Sequence, residues 1–124
     1  YQDISVIEIL QSIAPFYGVA GNMDAHEIRT IVPEKTVVEL GGFLIGIMHG
    51  GGSPKGLEDR ILNAFKGEHI DAIVYGHSHN PSNHRINNIL LFNPGSPTDK
   101  RFAHCNSIGI LTIQEIITGE IIEL

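Results

Sequence analysis

Apolar positions at the start of the chain recur at helical spacing. Val6, Leu10 and Ile13, with Ile7 and Ala14 beside them, predict a helix that Asp3 or Ser5 can cap and Pro15 ends. Phe16 to Ala20 reads as a short strand closed by Gly21-Asn22, and Asp24 to Thr30 as a weak helical turn. Thr36–Leu40 and Phe43–Met48 are two apolar runs separated by Gly41-Gly42. A two-glycine link suits a tight hairpin, because glycine reaches positive φ without a steric penalty. After the loop His49-Gly50-Gly51-Gly52-Ser53-Pro54 comes a helix from about Gly56 to Lys66, with Leu57, Ile61, Ala64 and Phe65 on one face and Gly67 as its stop. Ala72–Tyr75 is a short apolar strand. The remainder reads as all-β, with runs at Ile89–Phe92, Ser107–Ile113 and Glu120–Leu124 and turns at Asn93-Pro94-Gly95-Ser96 and Thr118-Gly119. Helices alternating with strands, followed by hairpins, predict a single α/β layered domain whose later part is antiparallel. The runs Phe43–Met48 and Ala72–Tyr75 are apolar on both faces, as expected where helices cover a sheet.

Composition narrows the picture. Among 124 residues, 42% hydrophobic and 18% charged is a globular balance. A net charge of -6 with no Lys/Arg cluster argues against duplex nucleic acid or an anionic membrane as partner. No apolar run approaches the roughly 18 residues that span a bilayer, and no basic region precedes an apolar stretch at the start, so no leader is expected. One cysteine, Cys105, excludes an internal disulfide and fits a reducing, cytoplasmic setting; it reads as a small buried residue rather than a nucleophile.

Three polar clusters stand directly after predicted strands: Gly21-Asn22-Met23-Asp24, His49-Gly50, and Gly76-His77-Ser78-His79. Ligands of α/β sheets bind beyond the carboxyl ends of the strands. Each cluster has a plain reading by itself: His49 as a polar strand end, Asn22 as a turn residue. Together they suggest three imidazoles and an amide oxygen in one crevice, a donor set for manganese, iron, nickel or zinc.

These motifs, in order and with Asn93-Pro94-Gly95-Ser96 after them, resemble the calcineurin-like metallophosphoesterases, most closely their small prokaryotic phosphodiesterase branch. The resemblance extends to Ser107-Ile108-Gly109-Ile110-Leu111. It implies a β-sandwich flanked by helices and a dinuclear site, with Asn22, His49 and His77 as ligands of one metal and His79 of the other. Manganese is the expected metal, with nickel, iron or zinc as alternatives. The implied chemistry is hydrolysis of a small phosphodiester or phosphomonoester, two divalent ions holding the phosphate and activating a water.

Two departures qualify the resemblance. Met23 stands where many members of the wider superfamily have a proton-donating histidine; His26 is nearby but reads as a surface residue. The Asp-x-His and Gly-Asp motifs that open the family pattern are absent. In the family register the bridging Asp would fall immediately before Tyr1, so the chain reads as a member lacking its first strands, with Tyr1-Gln2-Asp3-Ile4 opening the next helix. Asp3 lies about three residues too late to replace that Asp. Asp24, the nearest acid, reads as a capping or orienting residue. His69 reads as solvated, and His84, Arg85 and His104 as exposed residues of the β region. The Asn93–Ser96 turn is expected to support the Gly76–His79 loop. The alternatives are a non-catalytic interaction scaffold of the same fold, and a fragment that forms a homodimer through an uncovered sheet edge.

Overall fold

The computed structural model describes residues 3–124; the reading of Tyr1-Gln2 as the opening of a helix lies outside the described residues. Helix α1 (Ile4–Ile13) is capped by Asp3, whose carboxylate accepts the Ser5 N–H at 2.9 Å. It ends where Ala14 turns extended before Pro15, which cannot donate to a further helical turn. Phe16–Ala20, expected as a strand, is extended but unladdered. Its neighbour is the turn after α2 (His26–Arg29), which offers the Pro33 carbonyl to the Ala20 N–H at 2.8 Å. Ile7, Ala20, Ile28 and Val32, with Phe16 against them, form a small cluster of their own.

Strands β1 (Lys35–Leu40) and β2 (Phe43–Met48) form the predicted hairpin, with Leu40 opposite Phe43 and both Gly41 and Gly42 at positive φ, 58° and 85°. Helix α3 (Leu57–Ala64) leads to β3 (Ala72–Tyr75), which pairs parallel to β2 with Met48 opposite Tyr75. Strand β4 (Ser82–Ile86) escaped the sequence reading because its residues, Ser-Asn-His-Arg-Ile, are mostly polar. It pairs antiparallel with β5 (Ile89–Asn93) through Asn87-Asn88, both left-handed, at φ 51° and 65°. Asparagine is among the few non-glycine residues that accept this turn. The five strands lie in the order β1-β2-β3-β5-β4, with β2, β3 and β5 mutually parallel.

Strands β6 (Ser107–Ile113) and β7 (Ile117–Glu123) form a separate two-stranded sheet. Thr118-Gly119 is not the turn expected from the sequence but lies within β7; the reversal is at 114–116, where the Gln114 N–H meets the Ile116 carbonyl. Gly119 serves close approach instead: a Cβ there would sit 2.5 Å from the Phe92 ring, and one at Gly109, in β6, 2.4 Å from it. The hairpin therefore lies directly on Phe92, and Ile45, Ala72, Leu90, Phe92 and Ile117 fill the space between the two sheets. On the opposite face, α3 packs Leu57 and Ile61 against Ile73, Tyr75 and Leu91. The result is a mixed sheet with α3 on one face and a second sheet on the other, while α1 packs against segment 16–32, which carries α2; this matches the expected β-sandwich flanked by helices. No helix among the described residues is long and apolar enough to cross a membrane.

Candidate metal centre

The parallel register of β2 and β3 decides where the histidines go. Met48 opposes Tyr75, so the next residues, His49 and Gly76, leave the sheet side by side, joined by the Gly76 N–H to the His49 carbonyl at 3.0 Å. The His49 and His77 rings then meet edge to face, centroids 5.3 Å apart. Burial and the neighbouring His77 hold the His49 imidazole below its ordinary pKa, which favours the neutral, ligating form. Gly21 fits under the same ring, since a Cβ there would be 3.2 Å from it. His49, His77, His79 and Asn22 all line one cleft of about 1060 Å³.

Both His77 (φ 72°) and His79 (φ 61°) are in the left-handed region, which is costly for these residues and is found where surrounding contacts impose it. The contacts here are identifiable. His77 Nε2 is 2.7 Å from the Gly52 carbonyl, which can only accept, so Nε2 carries the proton and Nδ1 keeps its lone pair. His79 Nδ1 is 2.6 Å from Asp99 Oδ2. Backbone N–H groups, that of Arg101 foremost, and then His79 hold the Asp99 carboxyl at about 2, so it is an acceptor and His79 Nδ1 is the donor. Two histidines two residues apart thus offer opposite nitrogens, Nδ1 from His77 and Nε2 from His79.

The loops are clamped from outside. Arg60 donates to the Gly51 carbonyl at 2.9 Å, the Lys55 carbonyl at 3.1 Å, and the Ser53 carbonyl, fixing the glycine loop that carries Gly52. Arg29 donates to the carbonyls of Asn22 at 2.7 Å and Gly21 at 3.1 Å, while the Asp24 carboxylate accepts the Gly21 N–H at 2.8 Å. That contact fastens Asp24 to the turn that carries Asn22; the cap of α2 is Ala25, with no side-chain hydrogen bond. Asn93, fully buried, donates to the Gly76 carbonyl and to Ser78 Oγ at 3.2 and 3.1 Å, and accepts the Gly95 N–H at 3.0 Å. The Asn93–Ser96 turn does support the Gly76–His79 loop.

Not every expected donor stands close to the others. Among the described residues, no three His, Cys, Asp or Glu side chains converge tightly enough to enclose an ion. The donor set is two adjacent imidazoles, a third whose Nδ1 is committed, and an exposed Asn22 on the facing loop. Its chemistry suits an imidazole-preferring divalent ion. Met23 also lines the cleft, 82% exposed, and has no proton to give. His26, His69, His84, Arg85 and His104 are exposed, as expected, and Cys105 is only half-buried. Asp99 and Arg60 were missed. An acid in a Ser-Pro-Thr-Asp turn and an arginine on a helix look like ordinary surface residues, and only the fold brings them to the histidine loops.

The family profile described as the calcineurin-like phosphoesterase superfamily domain matches residues 1–116. A probable metallophosphoesterase of Methanocaldococcus jannaschii is 32% identical over 98% of this chain, which spans 62% of that protein's length. The solution structure of a Thermotoga maritima protein is 31% identical and superposes with a TM-score of 0.74, covering 100% of this chain and 76% of that one. An archaeal phosphodiesterase shares the fold, at 22% identity and a TM-score of 0.77, over 98% of this chain and 77% of that one. The strand-end histidines, the layered sheets and these matches lead to one conclusion: the chain belongs to the calcineurin-like phosphoesterase superfamily.

Proposed function

We propose that the protein hydrolyses small phosphodiesters at a dinuclear site, with manganese as the preferred metal and nickel, iron or zinc as substitutes. The observation that carries this reading is the opposed presentation of His77 Nδ1 and His79 Nε2, which suits one nitrogen to each of two ions. When bound, the ions supply positive charge at the phosphate and a water activated at neutral pH. The protein's own residues do the placing. His49 and His77 stand edge to face at the ends of two parallel strands, and Asn22 offers an amide oxygen from the facing loop. His79 is aimed by Asp99. The cleft, about 1060 Å³, has room for a small ester, and the net charge of -6 disfavours duplex nucleic acid.

Neutral donors alone hold two divalent ions poorly. We therefore propose that carboxylate ligands of the Asp-x-His and Gly-Asp kind are supplied from outside these 124 residues; the chain spans 62% of the length of the archaeal relative. Asp3 is engaged as the α1 cap. The half-buried single cysteine supports a cytoplasmic setting.

The test is turnover of bis-p-nitrophenyl phosphate with and without manganese, on the 124-residue chain and on a form extended through its upstream codons. The extended form is expected to be active and the short chain nearly inert. In the extended form His49→Ala and His77→Ala should each lower kcat by on the order of 10²-fold. Robust manganese-dependent turnover by the short chain would overturn the assignment of the missing carboxylates. An inert extended form would favour the interaction-scaffold reading.

A further inference from the structure

We propose that Asp99 is a positioning residue that fixes His79 as an Nε2 ligand and thereby sets the strength of one metal site. This rests on the metal-dependent reading above.

The geometry makes Asp99 unsuited to ligation and well suited to orientation. It lies twenty residues beyond His79, in the loop between β5 and β6, and its side chain is only 11% exposed. Oδ2 receives the His79 ring at 2.6 Å and the backbone N–H groups of Phe102 and Ala103 at 3.2 and 3.1 Å; Oδ1 receives that of Arg101 at 2.8 Å. Both oxygens are engaged. The main chain is held as well: the Asp99 N–H donates to Ser96 Oγ at 3.1 Å, and its carbonyl accepts from Asn106 Nδ2 at 2.7 Å. A carboxylate already accepting from three backbone N–H groups has no proton to donate and can only accept from the imidazole. His79 must turn Nδ1–H toward it, which leaves the Nε2 lone pair for the cleft.

The competing view makes Asp99 a loop staple whose contact with His79 is incidental. A staple needs the three backbone donors and not the imidazole. It therefore predicts no effect of Asp99 on the ring's tautomer or on metal affinity beyond that of any other loop contact.

Imidazole nitrogen-15 resonances of the extended form, recorded without metal and during titration with zinc chloride, separate the two. In the wild type, His79 is expected as the Nδ1–H tautomer, with zinc perturbing Nε2. Asp99→Asn should give a mixture of tautomers and lower the zinc affinity read at His79 by about 10- to 100-fold. Asn106→Ala, which loosens the same loop without touching His79, should leave tautomer and affinity as in the wild type. An Nε2–H tautomer in the wild type overturns the proposal without recourse to any variant, even if Asp99→Asn fails to fold. So does wild-type affinity in Asp99→Asn, or an equal loss in Asn106→Ala. Zinc that perturbs none of His49, His77 and His79 overturns the metal-dependent reading itself, whereas zinc binding that is lost in His79→Ala yet intact in Asp99→Asn overturns this proposal alone.

Discussion

Helix α1 is the more apolar of the two longer helices, yet it buries less. Of its six aliphatic residues only Ile7 is enclosed, while Val6, Ile9, Leu10 and Ile13 are exposed. Helix α3 buries Leu57 and Ile61 completely. Within these 124 residues, which span 62% of the archaeal relative, the difference lies in what faces each helix. Across from α3 is a sheet presenting Ile73, Tyr75 and Leu91; across from α1 is the short segment 16–32, with Ala20, Ile28 and Val32. Burial depends on the partner as well as on the sequence buried. The distinction reaches the candidate site. His49, His77 and His79 leave the well-packed body, whereas Asn22 hangs from the smaller cluster.

The sharpest way to break this contrast is to empty both interfaces. Ile61→Ala, at a position 1% exposed, should cost about 3 kcal/mol of folding stability. Ile13→Ala, at 73% exposed, should cost about 0.5 kcal/mol or less. Urea unfolding of the two variants measures the difference, and equal losses would show that α1 is as firmly seated as α3. Next in size is Gly50→Ala. Gly50 has φ 95°, and an added Cβ would be 3.0 Å from Leu57 Cδ1 and 3.3 Å from Ile61 Cδ1. Left-handed strain plus that crowding should cost about 2 kcal/mol, read from thermal unfolding. Gly42→Ala, with φ 85° but open space around it, should cost about 1 kcal/mol.

The clamps compare the two regions at the site itself. Arg60→Ala frees the glycine loop and should lower zinc binding read at His77 by about 10-fold. Arg29→Ala frees the Asn22 loop and should shift the Asn22 backbone resonances while leaving those of His77 in place. Movement of both loops in either variant would show that the regions are coupled more tightly than their separate clusters imply. The smallest effect concerns acid. Asp99 titrates at about 2 in the fold against 3.8 when free, so it binds fewer protons folded than unfolded. Its contribution is present above pH 3.8 and is lost as the pH falls through 2, and Asp99→Asn should flatten the stability profile within that window.

How much of this was legible in the sequence follows the same division. The Gly41-Gly42 hairpin, the α3 face and the strand ends carrying His49 and His77 were readable, because apolar periodicity and turn glycines encode local geometry directly. The Phe16–Ala20 strand was misplaced: an apolar run becomes a strand only where another strand lies alongside, and that is not local information. Gly119 was mistaken for a turn because its role, leaving room for Phe92, belongs to a residue far away in the chain. Asp99 was invisible for the same reason, and Arg60 was invisible although its partners lie only five to nine residues back. Their partners are a ring twenty residues earlier and the carbonyls of a loop, and neither leaves a periodic trace.

The Asn93 brace has a consequence for chemical ageing. Asparagine side chains in proteins are lost mainly when the following backbone nitrogen attacks the carboxamide and closes a succinimide. Residue 94 is proline, whose nitrogen carries no hydrogen to give up. The carboxamide that ties the histidine loop to the next turn is thereby shielded from the commonest spontaneous damage to its kind. Conversion to aspartate would replace a donor to the Gly76 carbonyl with a repelling oxygen, so the protein is protected where that damage would be least tolerable.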